Sequence, residues 1–112
     1  MKLITAIIQP GMLNSIQIAL AQHGISGMTV SEASGYARQR GHTEVYRGAE
    51  YTIDFINKVR IEILSEDGEV DTTLKVIADA ARTGSVGDGK IWVTPVDQII
   101  RIRTGETGDD AI

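Results

Sequence analysis

The sequence predicts an α+β domain in which a four-stranded antiparallel sheet carries two helices on one face. Apolar residues recur at strand spacing in four segments and at helical spacing in two segments. These segments follow the order βαβ, a long polar stretch, and βαβ, and two such units together form a ferredoxin-like βαββαβ sandwich. A chain of 112 residues is the usual size of one domain, so we expect a single domain over residues 1–112.

The first βαβ unit is predicted from the apolar periodicity of the first third of the chain. Residues 2–9 form a short apolar strand, which residues 10–11 (Pro-Gly) end. Asn14 is the predicted N-cap of the following helix, because its side chain can accept a hydrogen bond from a free N–H of the first turn. Gly24 is the glycine expected just after the helix. A second strand is expected over residues 29–36.

The second unit begins with near-strict alternation over residues 58–64. Val59, Ile61 and Ile63 then face the core, and Lys58, Arg60 and Glu62 face the other way. The inner face of the second helix is predicted to carry Val70, Leu74, Ile77 and Ala81. A fourth strand is expected over residues 91–96. Alternation in residues 100–103 predicts a further extended segment, with Arg101 and Arg103 on one face.

Residues 83–90 (TGSVGDGK) are the clearest candidate for a ligand site. Glycine allows successive N–H groups to point into one concavity, and such a nest beside Lys90 suits an anion. Residues 84–90 match a P-loop in spacing, but Ile91 stands where Ser or Thr should bind magnesium, and the loop follows a helix instead of preceding one. We therefore expect phosphate binding without P-loop ATPase chemistry; the alternative is a plain αβ turn.

Basic residues strengthen the phosphate hypothesis. Paired arginines make charge-assisted contacts to phosphate, and Arg101 and Arg103 together with Lys58 and Lys90 could neutralise a triphosphate. The alternative for the arginines is a solvated edge.

Residues 37–54 are polar and aperiodic, and loops of this length are usually functional or disordered. Tyr46 and Tyr51 within this stretch suit a binding surface or a modification site.

Composition excludes several classes of function. The net charge of −4 and the few aromatic residues argue against a nucleic-acid binder, including an RNA-binding module on this fold. The absence of cysteine excludes disulfides and thiolate chemistry. No signal peptide is visible and no apolar run approaches the roughly 20 residues of a membrane span, so we expect a cytoplasmic protein.

Three stretches resemble signatures of the PII nitrogen-regulatory signalling proteins, and the resemblance spans the whole chain. They are TEVYRGAEY at residues 43–51, AARTGSVGDGKI at residues 80–91 and RIRTGE at residues 101–106. The resemblance implies a T-loop at about 37–54, a B-loop at about 82–90 and a C-terminal loop at about 102–112.

The resemblance further implies a homotrimer that binds ATP or ADP in clefts between subunits. The residues that match nucleotide-binding positions are Thr29, Gly35, Arg38, Glu62, Leu64, Gly87, Asp88, Gly89, Lys90, Arg101 and Arg103, with the last two arriving from the adjacent subunit. In the family, ATP with Mg²⁺ enables 2-oxoglutarate to bind. The residues that match its binding positions here are Ala37, Gln39, Gly41 and Lys58. Gln39 would supply an amide oxygen to the metal.

The implied role is regulatory and not enzymatic, although weak ATP hydrolysis is compatible with it. The T-loop would bind ammonium transporters or nitrogen-assimilation enzymes, and a transporter would be the only route to a membrane. Tyr51 matches the tyrosine that a nucleotidylyltransferase modifies in many members. The alternatives are a PII-like sensor of another small anion, such as bicarbonate, and a small acyl-phosphate hydrolase on the same fold.

Three positions depart from the family pattern: Gln9 replaces a lysine, Asn57 a proline and Ala37 a glycine. Alanine disfavours positive φ, so Ala37 predicts an altered response to 2-oxoglutarate.

Overall fold

The computed structural model describes residues 1–36, 44–46, 49–51 and 55–112. The strands and helices in chain order are β1 Lys2–Ile8, α1 Leu13–Gln22, β2 Thr29–Gly35, β3 Glu44–Tyr46, β4 Ala49–Tyr51, β5 Ile56–Ser65, α2 Val70–Ala81 and β6 Gly89–Pro95. The four longer strands form one antiparallel sheet in the order β2-β5-β1-β6. The predicted four-stranded sheet with two helices is confirmed.

The hydrophobic core lies between the helices and one face of this sheet. Ile4, near the middle of β1, pairs with Ile63 of β5 on one side and with Val93 of β6 on the other. From the helices, Ile16 and Ile77 are fully buried against this apolar row. The alternation predicted for β5 is confirmed, because Val59, Ile61 and Ile63 are buried.

The start of α1 differs from the prediction. A 3-10 turn, Pro10–Met12, leads directly into the helix, so the N-cap is Met12 and not Asn14. Proline presets the φ angle of a first turn, and the chain therefore enters the helix without a side-chain cap.

The end of α1 agrees with the prediction. Gly24 has a φ of +76°. The N–H of Gly24 donates to the Ala21 carbonyl at 3.1 Å, and that of Ile25 to the Leu20 carbonyl at 3.0 Å. These two bonds form a Schellman motif, which requires a residue with positive φ at this position.

The buried face of α2 is rotated from the predicted one. Its buried residues are Thr73, Val76, Ile77 and Ala81, while Val70 and Leu74 pack only partly against the core. Thr73 is tolerated there because its hydroxyl donates to the Glu69 carbonyl at 2.9 Å. Thr73 was not among the residues predicted for this face, and the local hydrogen bond satisfies its hydroxyl in the buried position.

Within the predicted T-loop, β3 and β4 pair as an antiparallel ribbon in which Glu44 lies opposite Tyr51. At the ends of this stretch, the rings of Tyr36 and Phe55 meet edge to face with centroids 5.6 Å apart. Tyr36 and Phe55 are the residues next to Gly35 and Ile56, the last pair of the β2–β5 ladder.

The extended segment predicted at residues 100–103 is wrong. Ile100 makes one isolated bridge to Thr107, and residues 102–104 form a turn. The Arg101 N–H donates to the Glu106 carbonyl at 2.9 Å, and the Gly105 N–H to the Arg101 carbonyl at 2.8 Å. Gly105 closes this turn with a φ of +73°, so strand alternation does not govern where the two arginines point.

In the part of the chain that the structure describes, no helix is long and apolar enough to cross a membrane.

Candidate functional site

One cleft collects half of the described residues that the sequence pointed to. This loop cleft has a volume of about 470 Å³ and lies where β1, β2, β5 and β6 meet residues 83–90. Six of its lining residues were predicted: Gly35, Lys58, Gly87, Asp88, Gly89 and Lys90. Ile7, Tyr36 and Trp92 add an apolar wall.

Glycines set the path of residues 83–90. Gly84, Gly87 and Gly89 have φ angles of +85°, +99° and +104°, a region that L side chains rarely adopt. Positive φ at these positions turns the chain sharply, and such turns can bring backbone N–H groups together. In this loop the N–H groups of Thr83 and Gly84 converge on the Asp88 carboxylate. The glycine pattern therefore has the conformational basis that an anion nest requires.

Gly89 is also required by close packing. A Cβ at this position would lie 1.8 Å from the Ile7 carbonyl oxygen of β1. Because that oxygen belongs to a central strand, the backbone cannot yield, and only glycine permits this approach of the loop to the sheet.

The Asp88 carboxylate accepts hydrogen bonds from several groups of the loop. Its Oδ2 accepts from the N–H groups of Thr83 at 2.8 Å and Gly84 at 2.9 Å. Its Oδ1 accepts from the Thr83 hydroxyl and from Gln9 Nε2, the latter at 3.2 Å.

These contacts lower the pKa of Asp88, first through the Thr83 hydroxyl, then through the backbone N–H groups of Thr83 and Gly84 and the charge of Lys58. A carboxylate held in the ionised form by so many donors is a poor general base. This counts against an acyl-phosphate hydrolase that would use Asp88.

Lys58 connects the sheet to the loop. Its ammonium donates a 2.7 Å hydrogen bond to the Gly87 carbonyl, and the side chain is partly buried in the loop cleft. Lys90 lies opposite Ile7 in the β1–β6 ladder and is exposed at the same cleft. Two cations therefore border the nest.

The other predicted nucleotide residues lie elsewhere. Thr29, Glu62 and Leu64 line a second cleft of about 380 Å³, together with Leu3, Met28 and Ile112; we call it the strand cleft. Lys58 and Glu62 are four residues apart on one face of β5, which separates their Cα atoms by about 13 Å. Within one chain the described members of the predicted set, apart from Arg101 and Arg103, are thus divided between two clefts on the open face of the sheet.

Arg101 is held by its own C-terminal segment. Its Nη1 donates to Glu106 Oε1 at 3.1 Å, and its Nη2 donates to the main-chain oxygen of Ile112 at 2.9 Å. Arg103 is exposed on the turn, and neither arginine lines the loop cleft or the strand cleft.

Several predicted residues lie outside the described part of the chain: Ala37, Arg38, Gln39 and Gly41. For Tyr51 the structure describes its backbone in β4. Among the residues that the structure describes, no three His, Asp or Glu side chains group as a metal site.

Sequence reasoning missed the apolar wall of the loop cleft and the contact that Gln9 makes with Asp88. Trp92 could have been predicted, because it lies two residues after Lys90 in β6 and residues two apart in a strand share a face. The Gln9 contact with Asp88 was not readable, because the two residues are 79 positions apart.

Comparison with known proteins gives matches along the whole chain. The family model for "Nitrogen regulatory protein P-II" matches residues 1–106. Proteins of that name from Azospirillum brasilense and Microchaete diplosiphon are 56% and 53% identical over 112 residues, covering 100% of both chains in each case. The crystal structure of Arabidopsis thaliana PII bound to citrate has a TM-score of 0.81 at 35% identity, covering 98% of this chain and 87% of that one. Sequence and fold thus lead to the same proteins.

Proposed function

The chain belongs to the nitrogen regulatory protein P-II family, and on that premise we propose that it is a regulatory trimer that senses ATP and ADP. The family is named for regulation and not for a catalysed reaction, in agreement with the expectation of a regulatory protein. The observation that carries the proposal is the nest of residues 84–89 bordered by Lys58 and Lys90.

Phosphate is the ligand group that this nest suits best. The N–H groups of Thr83, Gly84 and Ser85 are already used within the loop, so the donors proposed for a polyphosphate are the two ammonium groups and the other loop N–H groups. The volume of about 470 Å³ is in the usual range of small-ligand pockets. Ile7, Tyr36 and Trp92 offer apolar contact to the rest of the ligand.

The trimer is supported by the division of the predicted site. A second copy could bring a strand cleft, with Thr29, Glu62 and Leu64, against the loop cleft of its neighbour. The open sheet face carries Trp92 and Leu64, which are 44% and 40% exposed in the single chain. A small domain gains stability by covering such a face with further copies.

Arg101 and Arg103 can serve the same intersubunit site. The Arg101 guanidinium has five N–H donors, and the two contacts to Glu106 and Ile112 leave donors for a phosphate of the neighbouring copy. Arg103, exposed on the turn, would add a second cation.

We further propose that 2-oxoglutarate is the effector, bound with ATP and Mg²⁺ next to Lys58. The Lys58 ammonium has three donors and uses one on Gly87, so it can also bind a carboxylate. The plant PII structure holds citrate, another polycarboxylate, which supports this ligand class. Ala37 and Gly41 would add backbone contacts.

A magnesium ion would be held mainly by the ligand phosphates and by Gln39. The Asp88 carboxylate is already occupied by Thr83, Gly84 and Gln9, so we assign it no role as a metal ligand.

The output of the proposed sensor is the conformation of the T-loop. The β3–β4 ribbon carries Tyr51, the proposed target of a nucleotidylyltransferase. We propose that this ribbon binds an ammonium transporter or a nitrogen-assimilation enzyme in the cytoplasm, and that nucleotide at the base of the loop controls the contact.

Isothermal titration of the purified protein with ATP and ADP tests the proposal, with light scattering to measure the oligomer. We expect a trimer that binds both nucleotides, and 2-oxoglutarate binding only with ATP and Mg²⁺. No heat at millimolar nucleotide would overturn the nucleotide proposal. A parallel titration with bicarbonate decides the alternative of a sensor for another anion.

A further inference from the structure

We infer that Gln9 is a positioning residue that holds the glycine loop in place through its contact with the Asp88 carboxylate. Its Nε2 donates to Asp88 Oδ1 at 3.2 Å across a partly buried boundary between β1 and the loop. The inference deepens the proposed function, on which it rests, because the loop is the part of the cleft that would bind phosphate.

The backbone of Gln9 is fixed on both sides. It follows Ile8, the last residue of β1, and its carbonyl accepts from the Met12 N–H at 3.0 Å at the start of the 3-10 turn. The side chain is half-buried, and its fixed backbone restricts where the amide group can lie.

The remaining contacts of Asp88 cannot do the same task. Thr83 and Gly84 belong to the loop itself, so their bonds to Asp88 fold the loop but do not locate it on the sheet. Among the described contacts to this carboxylate, the Gln9 amide is the hydrogen bond that comes from the sheet side. Lys58 supplies the second attachment, one residue earlier, at the Gly87 carbonyl.

Charge makes the amide the suitable group. Asp88 is already close to Lys58, and Arg82 and Lys90 line an adjoining cleft with it. The neutral amide of Gln9 donates a hydrogen bond to Asp88 Oδ1 and adds no further charge to this region. A glutamate at position 9 has nearly the same shape, but its ionised form would place a second carboxylate about 3.2 Å from Asp88.

The first experiment measures hydrogen-exchange protection factors of the Thr83 and Gly84 amides in the ligand-free protein. We expect Gln9→Glu to lose about tenfold in protection at pH 8, since hydrogen bonds to charged groups contribute that much. Part of the loss should be regained toward pH 5, because the charge of Asp88 raises the pKa of the introduced carboxyl group and its protonated form can again donate. Gln9→Met should lose protection without pH dependence.

Gln17→Glu, at an exposed position of α1, is the matched control and should leave both amides unchanged. Thermal denaturation of each variant checks that it is folded. Protection in Gln9→Glu and Gln9→Met equal to that of the original protein at pH 8 would overturn the inference.

The second experiment compares ATP affinity of Gln9→Glu with that of the unaltered protein at each pH. We expect the ATP affinity of Gln9→Glu to be about one-tenth of that of the unaltered protein at pH 8, and closer to it at pH 5. If the unaltered protein binds no ATP, the proposed function fails, while the exchange measurement still decides the role of Gln9. A ratio that stays at unity at pH 8, in a protein that binds ATP, would refute the link between Gln9 and the phosphate site.

Discussion

The Lys58 ammonium donates a 2.7 Å hydrogen bond to the Gly87 carbonyl and thereby joins β5 to the glycine loop. Lys58 also lies next to the end of the predicted T-loop, three residues after Phe55. A ligand that competes for this ammonium would therefore affect both the loop cleft and the strand that leads into it.

Lys58→Met should abolish the 2-oxoglutarate signal and weaken ATP binding about tenfold, because both the effector and the polyphosphate lose an ammonium group. Titration calorimetry with ATP and Mg²⁺, with and without 2-oxoglutarate, measures both effects. Lys75→Met, which alters an exposed lysine paired with Asp79 on α2, should change neither. Retained 2-oxoglutarate binding in Lys58→Met would contradict the assignment.

Gly89→Ala should destabilise the protein by at least about 2 kcal/mol, because a Cβ meets the Ile7 oxygen and the residue has positive φ. Urea unfolding at neutral pH measures the free energy. Gly68→Ala is the matched control, since a Cβ there has open space and no positive φ opposes it. Equal unfolding midpoints for the two variants would mean that the loop does not approach β1 as described.

The Asp88 carboxylate should make stability depend on pH. The pKa of Asp88 in the folded protein is lowered, chiefly by the Thr83 hydroxyl. Its contribution to the free energy of unfolding is therefore present above the pKa of the unfolded chain, and it is lost as pH falls through the pKa of the folded protein. Asp88→Asn should therefore be less stable than the unaltered protein at pH 6, and the difference should shrink below about pH 4.

Urea midpoints at pH 6 and pH 3 test this expectation. Asp97→Asn, at an exposed position, provides the comparison for loss of one negative charge. A difference between Asp88→Asn and the unaltered protein that does not change with pH would rule out the carboxylate as its source.

Lys90→Ala should lower the affinity for ATP and ADP about tenfold, the usual loss for a charge-assisted phosphate contact. Calorimetry at two salt concentrations should also show a weaker salt dependence than in the unaltered protein. Lys75→Ala is again the matched control. If the Lys90→Ala trimer bound nucleotides with unchanged affinity, Lys90 would have no role in the nucleotide site.

Several elements of this fold were predictable because their signals are local. The alternation of Val59, Ile61 and Ile63 placed β5 and its buried face correctly, and Gly24 marked the end of α1. The glycine loop was found from its letters alone, since repeated positive φ within a few residues requires glycine whatever surrounds it.

Other features depended on contacts that no local pattern contains. Asn14 is a good N-cap in isolation, but the turn that begins at Pro10 starts the helix earlier. Alternation at Arg101 and Arg103 predicted an extended segment, whereas Gly105 and the bond from Arg101 to Glu106 make a tight turn.

The sequence by itself determined the order of the two helices and of the four strands of the main sheet, the family and the position of the glycine loop, because periodicity and turn chemistry act over a few residues. Only the tertiary structure decided how that loop is held, through Gln9 on Asp88 and Lys58 on Gly87. It also decided that Glu62 and Lys58 line separate clefts. Such relations depend on strand register and on side chains that meet across 29 to 79 residues of chain, and therefore exist only once the sheet has formed.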